Sequence, residues 1–328
     1  MSTQTTLSVP KSAPAAPGLT RMPLTIFSVP GVGQVDVMGH LPGSGDPVLL
    51  WDRKFAFAME DIAKVCERGC AAAYLSRADA LQVAAQLRDE WASIVRGGSF
   101  LPWERFGLLQ IAAVPDLDAS FRRMNCARYL ELSQHAGRDM AKVLSAGSVS
   151  ARQLFDANQR GASPGLRATN LAGYATVLAR LLGVTELHEL QEIAVGAMVH
   201  DVAARLLPPD YLINIGRLTA RDRGAVENHA RQGYEELRGH QGFNHGQLMM
   251  AYQHHEWVDG SGYPVAILGD EIHPWAKLLA IVDAFDAITS GQRKLLDLDQ
   301  AILQLGLLAG TQLDAEMTAC WSSSLRLA

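Results

Sequence analysis

Six side chains in the C-terminal half of this 328-residue chain are of the types that build a metal centre: His200, Asp201, His229, His254, His255 and Asp283. They fall in four stretches. These are "VHDV" at 199–202, "ENHAR" around His229, "HHEWVDGSGYP" at 254–264, and "AIVDAFDAIT" around Asp283. Neutral imidazole binds borderline transition metals through nitrogen, and a carboxylate can bridge two ions. A lone histidine is ordinarily a satisfied core or surface residue, and His40, His135, His188, His240, His245 and His273 are read that way. The six are different because several sit among apolar residues, as in "GAMVHDVAARLL" and "LLAIVDAFDAIT". A polar group there costs free energy unless it is bonded.

The elements that must position these groups are helices. "SPGLRATNLAGYATVLARLLG" has a helical apolar stripe that stops at Gly183. "ELHELQEIAVGAMVHDVAARLL" reads as the next helix, closed by Pro208-Pro209. "TARDRGAVENHARQGYEELRG" follows, with Thr219 as N-cap. "HGQLMMAYQHHEW", a glycine-punctuated turn, and "PWAKLLAIVDAFDAITS" complete the set, with further helices in 297–328. Asp286, one turn from Asp283, is suited to orienting a ligand, and Glu256 and Asp259 to capping the turn. Ahead of this half, "LDASFRRMNCARYLELSQHAGRDMAKVL" and "SVSARQLFDANQR" are helical candidates.

The N-terminal part has another texture. "LTIFSV", "VDVMG", "PVLLW" and "AAAYLS" read as short strands, and "AMEDIAKVCERG" and "RADALQVAAQLRDEWASIV" as helices. The expected class is α+β, a small N-terminal α/β domain followed by an all-α helical domain. The expected divisions are a flexible tail over 1–23, a small regulatory or dimer-forming domain over 24–102, a helical coupling segment over 103–164, and the metal-binding domain over 165–328. A homodimer is compatible with this layout.

Composition narrows the function. A hydrophobic fraction of 48% supports a sizeable core, and a net charge of −5 argues against a general DNA binder. The first 20 residues lack the basic and apolar regions of a signal peptide, and no apolar run reaches the length of a membrane span. The four cysteines, Cys66, Cys70, Cys126 and Cys320, have no CxxC pairing and read as reduced thiols of a cytoplasmic protein.

The order "HD", a later lone histidine, "HHE…DGSGYP" and "AIVDAFDAITS" resembles the HD-GYP family, a branch of the HD metal-dependent phosphohydrolases. The similarity runs from about residue 165 to the C-terminus. It implies hydrolysis of cyclic di-GMP by water activated at divalent transition metals, commonly iron or manganese, with in-line attack on phosphorus. By position, Asp201 bridges two metals, His229, His254 and His255 complete one shell, and His200 and Asp283 bind the other ion. His200 and Asp201 are then the catalytic pair. Gly262, Tyr263 and Pro264 form the GYP loop, implied to shape the site and to dock a signalling protein. Tyr263 and Arg293 are implied to contact the nucleotide.

The resemblance is incomplete at defined positions. Arg167 stands where active members carry a ligand histidine, and arginine offers no lone pair. An acidic position falls at Ser163, "HDxGK" reads "HDVAA" with Ala204 in place of lysine, Trp257 replaces an arginine, and Leu295 replaces an aromatic residue. One or two ions per chain are therefore expected. Three readings stay open: a phosphodiesterase whose second shell is completed by water, a non-catalytic nucleotide or partner sensor, and a phosphohydrolase for another nucleotide. The losses point to impaired activity, and Arg167 is a candidate to supply a fixed positive charge where an ion is missing.

Overall fold

The computed structural model describes residues 18–41, 46–55, 59–70, 72–98, 100–159, 161, 163–208, 219–290 and 296–327. The chain divides into two compact units, Met1–Gly98 and Ser99–Ala328. It is α+β, with its sheet in the first unit and a helical second unit.

In the first unit, strands β1 (Leu19–Met22), β2 (Val37–Gly39), β3 (Val48–Trp51) and β4 (Ala73–Ser76) form one sheet in the order β1-β4-β2-β3. All pairings are antiparallel, with Leu19 opposite Ser76 and Met38 opposite both Leu49 and Tyr74. β4 lies inside the sheet, and Ala73, Tyr74 and Leu75 are all buried. Helices α1 (Met59–Glu67), α2 (Arg77–Asp89) and α3 (Trp91–Arg96) complete the unit. Ser76 caps α2 by accepting from the Asp79 N–H, and the buried Asp79 carboxylate accepts from Ser76 and Arg53.

Two readings of this half change. Leu19–Met22, inside the stretch expected as a tail, is strand β1. "LTIFSV" is not a strand: Leu24–Ser28 form a 3-10 helix after Pro23. Its buried residues are Leu24, Ile26 and Phe27, which does not fit the strict alternation of a half-buried strand.

The second unit packs around α7 (Pro164–Leu181), which is buried without a break from Ala168 to Ala179. A helix buried on all sides belongs at the centre of a bundle. α4 (Pro102–Arg122), α5 (Cys126–Ser145), α6 (Ala151–Ala157) and α8 (Leu187–Val199) pack against it. The segment expected to couple the two halves thus supplies three helices of the bundle itself. Gly173 makes the closest approach possible, because a Cβ there would meet the Phe106 ring at 2.6 Å. The helix expected to run unbroken over 117–144 is interrupted at Met124, φ 56°, and restarts with Asn125 as N-cap.

The remaining helices among the described residues are α9 (Ala220–Gly239), α10 (His245–Gln253), α11 (Pro274–Ser290), α12 (Leu298–Leu308) and α13 (Ala315–Arg326). Thr219 caps α9 as expected, accepting from the Asp222 N–H. α8 does not continue through residue 207: it ends at Val199, and a 3-10 segment covers Val202–Leu206. The break falls at His200 and Asp201.

Candidate metal centre

Each expected ligand histidine lies on a helix or at its end, and three of them share one local device. The Nδ1–H of His200 donates to the Ala197 carbonyl at 2.8 Å, that of His254 to Ala251 at 3.0 Å, and that of His229 to Val226. Each ring is folded back onto the turn that precedes it. A neutral imidazole that donates from Nδ1 keeps its lone pair on Nε2, so this bond fixes the tautomer that ligates metal.

The helices bring those lone pairs together. His229 Nε2 lies 3.2 Å from His254 Nε2 and 3.3 Å from Asp201 Oδ1. His229, His254 and His255 form a group whose ligand atoms all lie within 4.8 Å of one another. The His254 and His255 rings are 4.0 Å apart, and those of His200 and His254 4.9 Å. His200 Nε2 and Asp201 Oδ1 are buried without a hydrogen-bond partner.

Protonation does not relieve this crowding. Burial, with the neighbouring His255, His200 and His229, holds His254 well below the ordinary imidazole value. Burial, with His229 next, brings His255 down to about 3. The neutral rings of His254 and His255, the converging ring nitrogens and an orphaned carboxylate oxygen are a donor set that a cation satisfies. Ligand atoms each bonded to one ion at about 2.0–2.2 Å lie about 3 Å apart, so Asp201, His229, His254 and His255 fit a divalent metal.

The other side of the site is filled by a side chain. Arg167 Nη2 donates to Asp283 Oδ1 at 2.5 Å, and its Nη1 lies 3.5 Å from Asp286 Oδ2. Asp283 Oδ1 is also 3.8 Å from His200 Nε2. Burial opposes ionisation of Asp283, but Arg167, His200 and His255 override it and hold the carboxyl below its ordinary value. Burial dominates at Asp286 and pushes it up to about 6, against Arg167 and Asn170.

The structure therefore brings His200, Asp201, His229, His254, His255 and Asp283 together, with Arg167 among them. Ala204 is buried in the 3-10 segment. Its neighbour Arg205 pairs with Glu236 of α9 at 2.5 and 2.6 Å. Ser163 caps α7, accepting from the Leu166 N–H. Arg293 and Leu295 lie outside the described residues.

The GYP loop is held by Glu256. Its buried carboxylate accepts from the backbone N–H groups of Val265 at 2.7 Å and of Ala266 and Ile267 at 3.2 Å. Asp259 accepts from the N–H and hydroxyl of Ser261. These are the turn-capping roles expected of both residues. Gly262 has no room for a side chain, since a Cβ would meet the backbone of Trp257 and His255 at 2.3 and 2.5 Å. Tyr263, joined to Pro264 by a cis peptide bond, lays its ring 4.7 Å from that of His255.

One group of residues was not anticipated. Asn170 donates to Asp286 Oδ1 at 3.0 Å and accepts from Gln110 at 2.7 Å. Gln110 also donates to Thr169 at 3.0 Å. The available signal was a glutamine and an asparagine inside apolar stretches, "LLQIAA" and "ATNLAGY". A second cluster, Cys126, Glu236 and His240, has metal-like spacing. It fits a metal poorly, because Arg205 already holds Glu236 and burial pushes the Cys126 thiol up to about 12.

Comparison with known proteins agrees with this geometry. A family model described as HD domain matches residues 148–317. The cyclic di-GMP phosphodiesterase response regulator RpfG of Xanthomonas campestris pv. campestris is 35% identical over 127 residues, which are 38% of this chain and 32% of that protein. The 3'3'-cGAMP-specific phosphodiesterase 2 of Vibrio cholerae is 33% identical over 130 residues, 39% of this chain and 25% of that protein. The matched part thus spans about a third or less of these relatives' length. Bd1817, an HDG"Y"P protein from Bdellovibrio bacteriovorus, superposes with a TM-score of 0.64 over 94% of this chain and 99% of its own, at 14% identity. That likeness is one of fold. With the HD pair at 200–201 and the GYP loop at 262–264, the chain belongs to the HD-domain family, in its HD-GYP branch.

Proposed function

We propose that the helical unit binds cyclic di-GMP at the histidine cluster and hydrolyses its phosphodiester linkage, at a rate reduced by the Arg167 and Ala204 substitutions. One observation carries the reading: His229 Nε2 lies 3.2 Å from His254 Nε2 and 3.3 Å from Asp201 Oδ1, so three potential ligand atoms meet at one point. Asp201, His229, His254 and His255 would hold a divalent transition metal, iron or manganese. Bound there, such an ion supplies a Lewis acid that activates water and neutralises phosphate charge. His200 Nε2, buried without a hydrogen-bond partner and 3.8 Å from Asp283 Oδ1, would exchange a proton at the reacting centre. Tyr263, whose ring lies 4.7 Å from that of His255, would border the ligand, and from its sequence position Arg293 would contact a phosphate. Ala204 offers no charge in exchange for the family's lysine, which removes part of the electrostatic stabilisation that carries most catalysis.

Relatives named for cyclic di-GMP and for 3'3'-cGAMP support a cyclic dinucleotide as ligand. The GYP loop, flanked by the exposed Val265 and Leu268, is our proposed docking face for a signalling protein. The N-terminal unit is read as its regulatory or dimer-forming part. Four free cysteines are in keeping with a cytoplasmic location. Among the described residues no helix is long and apolar enough to cross a membrane.

A second reading has its own observation. Arg167 ties up Asp283, so the unit binds cyclic di-GMP as a sensor and does not cut it. Turnover by anaerobically purified protein supplied with Fe(II) or Mn(II), followed as linear pGpG and GMP, separates the two. Slow turnover that disappears in His254→Ala is expected. Saturable cyclic di-GMP binding with no product from folded, metal-loaded protein gives the sensor reading instead.

A further inference from the structure

The His200 side of the site contains converging acceptors but no room for indifference about charge. Asp283 and Asp286 both face Arg167, and Asp283 Oδ1 is shared between the guanidinium at 2.5 Å and His200 Nε2 at 3.8 Å. The arginine is fixed from several directions. Asp286, only 3% exposed at its side chain, is anchored by Asn170, and Asn170 by Gln110. Three helices, α4, α7 and α11, therefore fix where the positive charge stands. A fork of N–H donors held between two carboxylates is the geometry in which arginine binds best. Asp201 also adds to the field that keeps Arg167 charged, so the guanidinium is felt on the histidine side too.

We propose that Arg167 is the site's built-in second cation: the chain takes one divalent ion, on Asp201, His229, His254 and His255, and the guanidinium occupies the position of another. The inference rests on the metal reading above and deepens it. Two features of the structure separate the two sides. On the Asp201 side, histidine nitrogens and a carboxylate oxygen converge with no cationic side chain among them, and Asp201 Oδ1 is buried without a hydrogen-bond partner. On the Asp283 side the carboxylate has its cation already, and a second ion there would meet a fixed like charge that salt does not displace. Guanidinium has five N–H donors, and with the side chain 32% exposed, donors remain for an anionic ligand. The charge is permanent, whereas a bound ion can be lost to a chelator.

The test is ion stoichiometry, read without reference to turnover. Metal-free full-length protein is dialysed to equilibrium against Mn(II), and bound metal is counted per folded chain together with its electron paramagnetic resonance. The wild type is expected to hold one ion with an uncoupled, mononuclear spectrum. Arg167→His is expected to hold two, with exchange-coupled signal, and Arg167→Lys to stay at one. Arg167→Gln keeps length without charge and guards against a misfolded histidine variant; a second ion binding at least tenfold tighter than in wild type is expected. Two ions in the wild type, or a single ion in folded Arg167→His with Arg167→Gln unchanged, overturns the proposal and leaves the metal reading intact. No ion in the wild type at saturating Mn(II) overturns the metal reading, and this proposal with it.

Discussion

On one side of His200, the Nε2 atoms of His229 and His254 face each other at 3.2 Å with Asp201 beside them. On the other side, Asp283 and Asp286 share the guanidinium of Arg167. Both sides are built from helical segments and carry imidazole or carboxylate. They differ in whether the chain supplies the positive charge. On the reading proposed above, the chain itself supplies the cation on the Asp283 side through Arg167, while the Asp201 side would take its cation from solution.

That contrast can be broken by experiment. The largest effect is expected on the histidine side. His254→Ala should weaken Mn(II) binding at least about a thousandfold, because it removes a ligand from a four-residue set; isothermal titration measures it. Unchanged affinity there would remove the basis of the comparison.

The next effect concerns pH. Asp286 is pushed up to about 6 in the folded protein, from 3.8. Below about pH 3 the carboxyl is mostly protonated in both states. As pH rises toward 6 the unfolded chain ionises first, so the native state holds more protons and stability falls with rising pH. The full difference is about 3 kcal/mol at about 1.36 kcal/mol per unit. Subtracting the stability of Asp286→Asn from that of wild type isolates this fall, because depressed groups such as His255 contribute to both. Urea denaturation of metal-free protein at pH 4 to 7 reads it.

Smaller effects sharpen the comparison. Asp283→Asn leaves Arg167 facing only the more distant Asp286, and should lose about 2 kcal/mol of stability, less than for a fully buried pair because Arg167 is partly exposed. Asp201→Asn should change the stability of the metal-free protein by no more than about 0.5 kcal/mol, because Asp201 Oδ1 has no hydrogen bond to lose. Its effect should appear on metal affinity instead. Equal destabilisation by the two substitutions would mean that both sides carry internal ion pairs.

Much of the site was legible in the chain because its parts are local. The helix cap at Thr219 acts within three residues. The turn in "HHEWVDGSGYP" closes on its own Glu256, Asp259 and Gly262. The ring-to-carbonyl bonds that set each histidine tautomer also span three residues, although they were not read from the sequence. Less was legible where short apolar runs admit more than one conformation. Leu24–Ser28 is the case in point: five residues cannot distinguish a strand from a 3-10 turn by period alone.

The sequence by itself determined the family, the helical half, and which side chains can donate or accept at the metal centre, because these follow from residue type and near-neighbour spacing. Only the tertiary structure decided which of them meet. Arg167 and Asp283 are 116 residues apart, as are Asn170 and Asp286. Arg205, next to the lost lysine position, turns instead to Glu236 on α9. The charge of a buried group depends on what packing puts beside it, and that packing joins α4, α7 and α11, which no local pattern links.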